Sequence, residues 1–207
     1  MPDPKFRRRA EARPDEVLDA ALALFMEKGF AATRVEDVAA RAGLSKGAVY
    51  LYFPSKEALL EGLVLRSLAP LAATVAEMAA IDGGSARDRL EAALGFLQEK
   101  ARDPAISAIP LLVLRESAQF PALAALYRER VIGRLFPALA GLVARAVERG
   151  EIRRVDPAQA VLSILAPVVV QILLGRVFGL GQMPDAAADR AMLRHHLDIV
   201  FEGLRAR

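Results

Sequence analysis

Residues 33–56, TRVEDVAARAGLSKGAVYLYFPSK, leave this chain little freedom of fold. Thr33 and Glu36 stand in the spacing of a capping box. Val35, Val38 and Ala39 then recur with a helical period, as far as Ala42. Gly43 supplies the left-handed backbone that a tight turn needs. Ser45 is placed to cap a second short helix, Lys46 to about Tyr52, and Pro54 ends it because the residue before a proline is pushed out of the helical region. Ala39 is small where the two helices would cross, and Leu44 and Val49 can plug the gap between them. Helices this short persist only when packed, and the pattern predicts a helix-turn-helix.

The flanking sequence supplies a third helix. Pro14 and Asp15-Glu16 suit a helical first turn, Val17, Ala21, Leu24 and Phe25 form an apolar stripe, and Gly29 follows Lys28 as a stop. Ser55 caps a long helix from Lys56 to about Ile81, closed by Asp82-Gly83-Gly84. Beyond it the helical period continues at about 85–102, 105–118, 121–149, 157–178 and 185–205. Pro110, Pro137 and Pro167 fall inside these segments and are expected to kink or split them. No alternating β-run occurs. The fold class is therefore all-α: residues 1–13 a flexible basic arm, 14–56 an N-terminal three-helix helix-turn-helix domain, and 57–207 a larger helical bundle. At 207 residues, with 54% hydrophobic and 26% charged residues, the chain can bury a real core.

The outward face of the second short helix carries Ser45, Lys46, Gly47, Ala48, Tyr50 and Tyr52. A face this slim and polar suits the major groove of duplex DNA. Lys5, Arg7, Arg8, Arg9 and Arg13 in the arm can add nonspecific attraction to phosphate. Pro14 to Leu63 closely resembles the DNA-binding domain of the TetR (tetracycline-repressor) family. The resemblance rests on Ala20-Ala21, Leu24-Phe25, Gly29-Phe30, Thr33, Val38-Ala39, Ala42-Gly43, Ser45-Lys46-Gly47, Tyr50, Tyr52-Phe53 and Lys56-Glu57-Leu59. It implies that Ser45, Lys46, Gly47, Ala48 and Tyr50 lie nearest the bases and that Thr33, Tyr52 and Lys56 contact phosphates. Thr33 and Ser45 are equally well explained as helix caps. Ala48 stands where family members often show threonine, which alters the expected base preference. Phe53 is expected in the core between the first and fourth helices.

For the larger domain the resemblance implies dimerisation and small-molecule binding: a ligand-responsive repressor, not an enzyme, acting as a cytoplasmic homodimer on a near-palindromic double-stranded operator. Val161 to Leu174 is apolar on all sides and must be covered. With Met192, Leu193, Leu197, Val200 and Phe201 it is expected to form a four-helix dimer interface. Phe96, Leu112, Glu116, Phe120, Tyr127, Val131, Leu135, Gln171 and Phe178 are the expected lining of the ligand pocket, which points to a small apolar or amphipathic effector.

Other chemistries find little support. The chain has no cysteine, which removes disulfides, thiolate nucleophiles and cysteine metal sites. His195 and His196 point about 100° apart on a helix and cannot easily share one ligand. No HExxH, GxSxG, P-loop or GxGxxG occurs, and no cofactor or metal is expected. The uncharged run from Pro157 to Gly175 approaches membrane-spanning length, but Gln159, Ser163, Pro167 and Gln171 interrupt it, so no membrane segment is expected.

Overall fold

The computed structural model describes residues 4–81, 83–179 and 185–205, with side chains from Pro14 onward, and its elements are helices. Helix α1 spans Pro4–Lys28. The arm expected over residues 1–13 is thus helical from Pro4, and the first helix starts well ahead of Pro14. The segment KFRRRAEAR ahead of Pro14 holds mostly good helix formers and no breaker, so Pro14 sits inside the helix at the cost of one backbone hydrogen bond. Helices α2 (Val35–Arg41) and α3 (Lys46–Tyr52) follow, then α4 (Lys56–Leu63) and α5 (Ala69–Ala80). A π-helical stretch, Val64–Leu68, joins α4 to α5 without a break. The long rod expected from Lys56 to Ile81 is therefore present, with one widened turn in its middle.

The remaining elements are α6 (Ala86–Ala101), α7 (Pro104–Glu116), α8 (Pro121–Tyr127), a second π-helical stretch (Arg128–Ile132), α9 (Gly133–Glu148), α10 (Pro157–Phe178) and α11 (Ala186–Leu204). Their starts are chemically defined. Ser85, Asp103, Asp156 and Asp185 each accept a backbone N–H at the head of the following helix. Gly179, at φ +66°, ends α10 in the left-handed conformation. Pro110, Pro137 and Pro167 lie within α7, α9 and α10, and none of them splits its helix.

Two cores hold the chain. The first joins Val17, Ala21 and Phe25 of α1 to Val38 of α2, Val49 of α3 and Leu59, Leu60 and Leu63 of α4. The N-terminal packing unit thus runs past residue 56. The same core takes in Ile109, Leu112 and Val113 of α7 and Leu123 of α8, which seals the head to the bundle. The second core joins α5, α6, α9, α10 and α11 through residues such as Val75, Leu94, Leu142, Ile164 and Leu197. Arg66, on the first π-helical stretch, donates to the Asp15 carbonyl at 3.0 Å and to the Asp19 carboxylate at 2.7 Å, lashing the rod to α1.

Among the described residues, helix α10 is covered on one side only. Val161, Ile164 and Val168 are buried, while Leu162, Val169, Val170, Leu174 and Val177 are exposed, as is Ile199 of α11. Both α10 and the Lys56–Ala80 rod are long and apolar enough to cross a membrane by length and composition alone.

Candidate nucleic-acid interface

The turn between α2 and α3 is built by one residue type at one position. Gly43 adopts φ +67°, which a side chain would resist. The Leu44 N–H then reaches the Ala39 carbonyl at 2.9 Å and the Gly43 N–H the Ala40 carbonyl at 3.2 Å, the paired bonds of a Schellman motif. This closes α2 and aims α3 across it. Val49 is fully buried between the helices, with Val38 and Ala39 beneath it. Ser45 caps α3, its hydroxyl accepting the Ala48 N–H at 3.2 Å. Helix α3 is thereby fixed at its start and along its inner edge, and its other side is open.

That open side carries the expected residues. Ser45, Lys46, Gly47, Tyr50 and Tyr52 are exposed and Ala48 is half-buried. Tyr50 is 40% exposed, so it does not pack inside the small domain. At Gly47 an added Cβ would meet nothing within 4 Å. Lys46 is not a free cation: its ammonium pairs with Glu36 of α2 and lies 5.7 Å from the Tyr50 ring centre. The pairing holds the Glu36 carboxyl below its ordinary value and lifts the Lys46 ammonium above its own. Two more pairs tie α2 to α1, Lys28–Asp37 at 2.5 Å and Arg41–Glu27 at 2.6 Å.

Thr33 departs from expectation. Its side chain is 2% exposed, and its hydroxyl donates to the Gly29 carbonyl at 2.7 Å and the Leu24 carbonyl at 3.3 Å. It therefore neither caps α2 nor presents its hydroxyl to solvent. Arg34 is the N-cap, and Asp37, not Glu36, returns a carboxylate to its backbone N–H at 3.2 Å. The cap slips by one residue because the buried carbonyls at the end of α1 compete for the threonine hydroxyl. Lys56 is also engaged internally. Its ammonium donates to the Phe30 carbonyl at 2.8 Å and the Ala31 carbonyl at 3.1 Å, over the Phe30 ring at 4.5 Å. Phe53 packs as expected between α1 and α4, so close to Gly62 that a Cβ there would sit 2.8 Å from its ring and 2.9 Å from Leu18.

Two residues of this surface are not apparent from sequence. Leu51 is 84% exposed on α3, an apolar side chain that a search for polar groups passes over. Arg34 is exposed at the head of α2, hidden in the sequence by the assignment of the cap to Thr33.

The expected ligand pocket is largely core. Leu112 and Val131 are buried in the first core, with Phe120, Tyr127 and Leu135 packed against it. Burial raises the Tyr127 phenol above its ordinary value. Glu116 is buried too. Phe178 is 66% exposed at the end of α10. Only Gln171 lies in the cavity of about 300 Å³ between α6, α7, α10 and α11, and Phe96 lines a neighbouring groove between α6 and α11. The apolar residues expected around a ligand fill space between helices instead of surrounding it, because helical period marks burial without distinguishing core from pocket wall.

Comparisons with known proteins agree with this arrangement. The family described as "Bacterial regulatory proteins, tetR family" matches residues 17–63, and "Tetracyclin repressor-like, C-terminal domain" matches residues 80–195. The HTH-type transcriptional regulator YerO of Bacillus subtilis is 48% identical over 48 residues, which are 23% of this chain and 17% of that protein. The match thus spans only a small part of that relative's length. Among solved structures, the regulator FadR from Bacillus subtilis in complex with stearoyl-CoA aligns over 92% of this chain and 98% of that one, with TM-score 0.76 and 21% identity. A SmeT–triclosan complex aligns over 94% and 92%, with TM-score 0.77 and 24% identity. At such identities the likeness is one of fold.

Proposed function

The chain belongs to the TetR family of bacterial regulatory proteins, and from that premise we propose that it is a ligand-responsive transcriptional repressor that binds a near-palindromic operator as a homodimer. The observation that carries the reading is the exposed side of α3, held rigidly by the Gly43 turn and the Ser45 cap and left uncovered among the described residues. Ser45, Lys46, Gly47, Ala48 and Tyr50 face base edges, and Tyr52 faces phosphate. Lys56 keeps one N–H for a phosphate after donating two to carbonyls. The phosphate contact expected of the Thr33 hydroxyl passes to the neighbouring Arg34.

A two-fold dimer presents two copies of α3 to half-sites ~34–36 Å apart or a multiple of that. The uncovered side of α10, Leu162, Val169, Val170, Leu174 and Val177, with Ile199 of α11, is the surface that a second copy covers. The same cover keeps the protein soluble, as expected of a cytoplasmic regulator. Solved relatives by fold hold stearoyl-CoA and triclosan, which supports a ligand in the bundle. Ligand and DNA then weaken each other by equal factors, and strong release requires several kcal/mol of differential affinity.

Selection of bound fragments from genomic DNA tests the reading. A palindrome with half-sites one turn apart is expected. The Tyr50→Ala protein should lose ~1–3 kcal/mol of discrimination at one base position. No enriched palindrome, or an equal loss on every sequence, defeats it.

A further inference from the structure

Leu51 is the most exposed large apolar side chain among the described residues, and it stands on α3. An exposed leucine is ordinary on a protein surface, but the direction of this one is not. At about 100° per residue, Gly47 and Leu51 each lie about 160° around the axis from Val49, side by side and one turn apart. Val49 is fully buried, so Gly47 and Leu51 form the outermost ridge of α3. Ala48 and Tyr50 flank that ridge, while Lys46 and Tyr52 fall nearer the packed edge.

The ridge carries no hydrogen-bonding side chain. Gly47 has none to offer, and a Cβ there would meet nothing within 4 Å. Ala48 presents a methyl group and Leu51 an isobutyl group. Two of the polar groups around them are engaged by the protein itself. The Ser45 hydroxyl accepts the Ala48 N–H at 3.2 Å, and the Lys46 ammonium pairs with Glu36. A helix that turns this ridge to the floor of the major groove meets the base edges with apolar groups first. Set against a donor or acceptor of a base, an isobutyl group strips it of water and returns no hydrogen bond. Set against an alkyl group, it gains from the burial of both. The alkyl group that the four base pairs display in that groove is the C5-methyl of thymine.

We propose that Leu51 is a specificity-determining residue that reads the C5-methyl group of one thymine in each half-site. The proposal rests on the DNA-binding reading above and adds a base to it: a T·A pair recognised by alkyl contact, at a side chain that a search for polar groups passes over.

The test is a methyl scan of a synthetic duplex carrying the palindrome enriched by selection. Each thymine of a half-site is replaced in turn by uracil, which removes the methyl group and keeps the pairing. The full-length protein should bind about fourfold more weakly when one particular methyl is lost, and about fifteenfold more weakly when it is lost from both half-sites. The Leu51→Ala protein should bind those thymine and uracil duplexes equally, while any other methyl that matters costs both proteins the same factor. Because Leu51 is exposed, Leu51→Ala should keep the parent's melting temperature. It should also keep the parent's slope of log affinity on log salt, which a lost phosphate contact would lower. In a fresh selection the Leu51→Gln protein should no longer enrich thymine at that position. Half-sites without thymine, uracil duplexes that all bind as the parent duplex does, or a Leu51→Ala protein that keeps the full methyl dependence overturns the proposal and leaves the regulator reading standing. Selection that enriches no palindrome defeats the regulator reading, and this inference with it.

Discussion

Replacing Lys56 by methionine separates two roles that the sequence merges. Methionine keeps most of the stem and its packing, and loses the ammonium. In the structure that ammonium donates to the carbonyls of Phe30 and Ala31 and sits 4.5 Å over the Phe30 ring. A hydrogen bond to a charged donor is worth ~1.5–3 kcal/mol when buried, and a cation–π contact ~0.5–1 kcal/mol near the surface. One of the two hydrogen bonds is solvent-exposed, so the sum must be discounted, and the expected loss is about 2 kcal/mol. For a chain of this length that corresponds to a fall of about 4–8 °C in melting temperature. The assay is thermal unfolding by circular dichroism, paired with operator binding across a salt series. A single phosphate contact contributes about one to the slope of log affinity on log salt, so the slope should fall by no more than that. A Lys56→Met protein that melts within about 1 °C of the parent but loses a full unit of slope would show that the ammonium serves DNA alone. The carbonyl clamp would then contribute nothing to the fold.

Four further outcomes follow from the geometry. Gly62→Ala should destabilise the head by about 1 kcal/mol, since overpacking against Phe53 and Leu18 costs ~1–3 kcal/mol and helix propensity returns ~1 kcal/mol. Gly47→Ala meets open space and should raise the melting temperature slightly, yet lower operator affinity if the α3 backbone approaches the bases closely. Val170→Asp should give monomers at micromolar concentration by light scattering, because it buries an unpaired charge in the proposed interface; an unchanged dimer moves the interface elsewhere. Glu27, Glu36, Asp37 and Asp185 have carboxyls held below their ordinary values, by Arg41, Lys46, Lys28 and the backbone N–H groups of α11 respectively. Their stabilisation is complete above the ordinary carboxylate range and is lost as pH falls through the depressed values; melting temperature should hold flat down to about pH 5 and then drop, and these four carboxyls replaced by amides should flatten that drop.

The head is legible in the sequence because its constraints are local. Gly43, Ser45 and Pro54 act within a few residues, and each produces the turn, cap or stop that its chemistry predicts. The boundaries of α10 are legible for the same reason, with Asp156 and Pro157 at one end and Gly179 at the other. Thr33 is misleading because two competing acceptors, the carbonyls of Leu24 and Gly29, come from the preceding helix and are close only after folding. The start of α1 is misleading because Pro14, which suits a first turn, instead sits inside the helix despite a cost of about 3 kcal/mol, with good helix formers ahead of it. The cavity is the least legible, since its walls meet from four helices far apart in sequence. Leu112 and Val131 repeat with the same period as a pocket lining would, and the buried polar residues Gln98 and Ser107 are exceptions to the pattern.

Helix α7 connects the two halves of the proposed mechanism. Its first turns, Pro104 and Ser107, line the cavity. Further along, Ile109, Leu112 and Val113 are part of the core shared with α1–α4. Beyond its end, Phe120 stands edge-on to Phe30 at 5.8 Å, and Phe30 in turn lies under the Lys56 ammonium. Packed interiors resist small continuous deformation, so a ligand that displaces Ser107 must shift the far end of α7 or be absorbed within it. Pro110 is the point where absorption is easiest, because it lacks the N–H that would bond the Ile106 carbonyl. The rod from α4 to α5 has its own compliant turn at Val64–Leu68, but Arg66 on that turn is lashed to Asp15 and Asp19 of α1. The bundle therefore reaches the head through α4, on which α7 and α8 pack, and through α1 and the loop after it, and not through α3 directly. A ligand would act on DNA by turning the head as one body, with the Gly43 turn and the α2–α3 packing left intact.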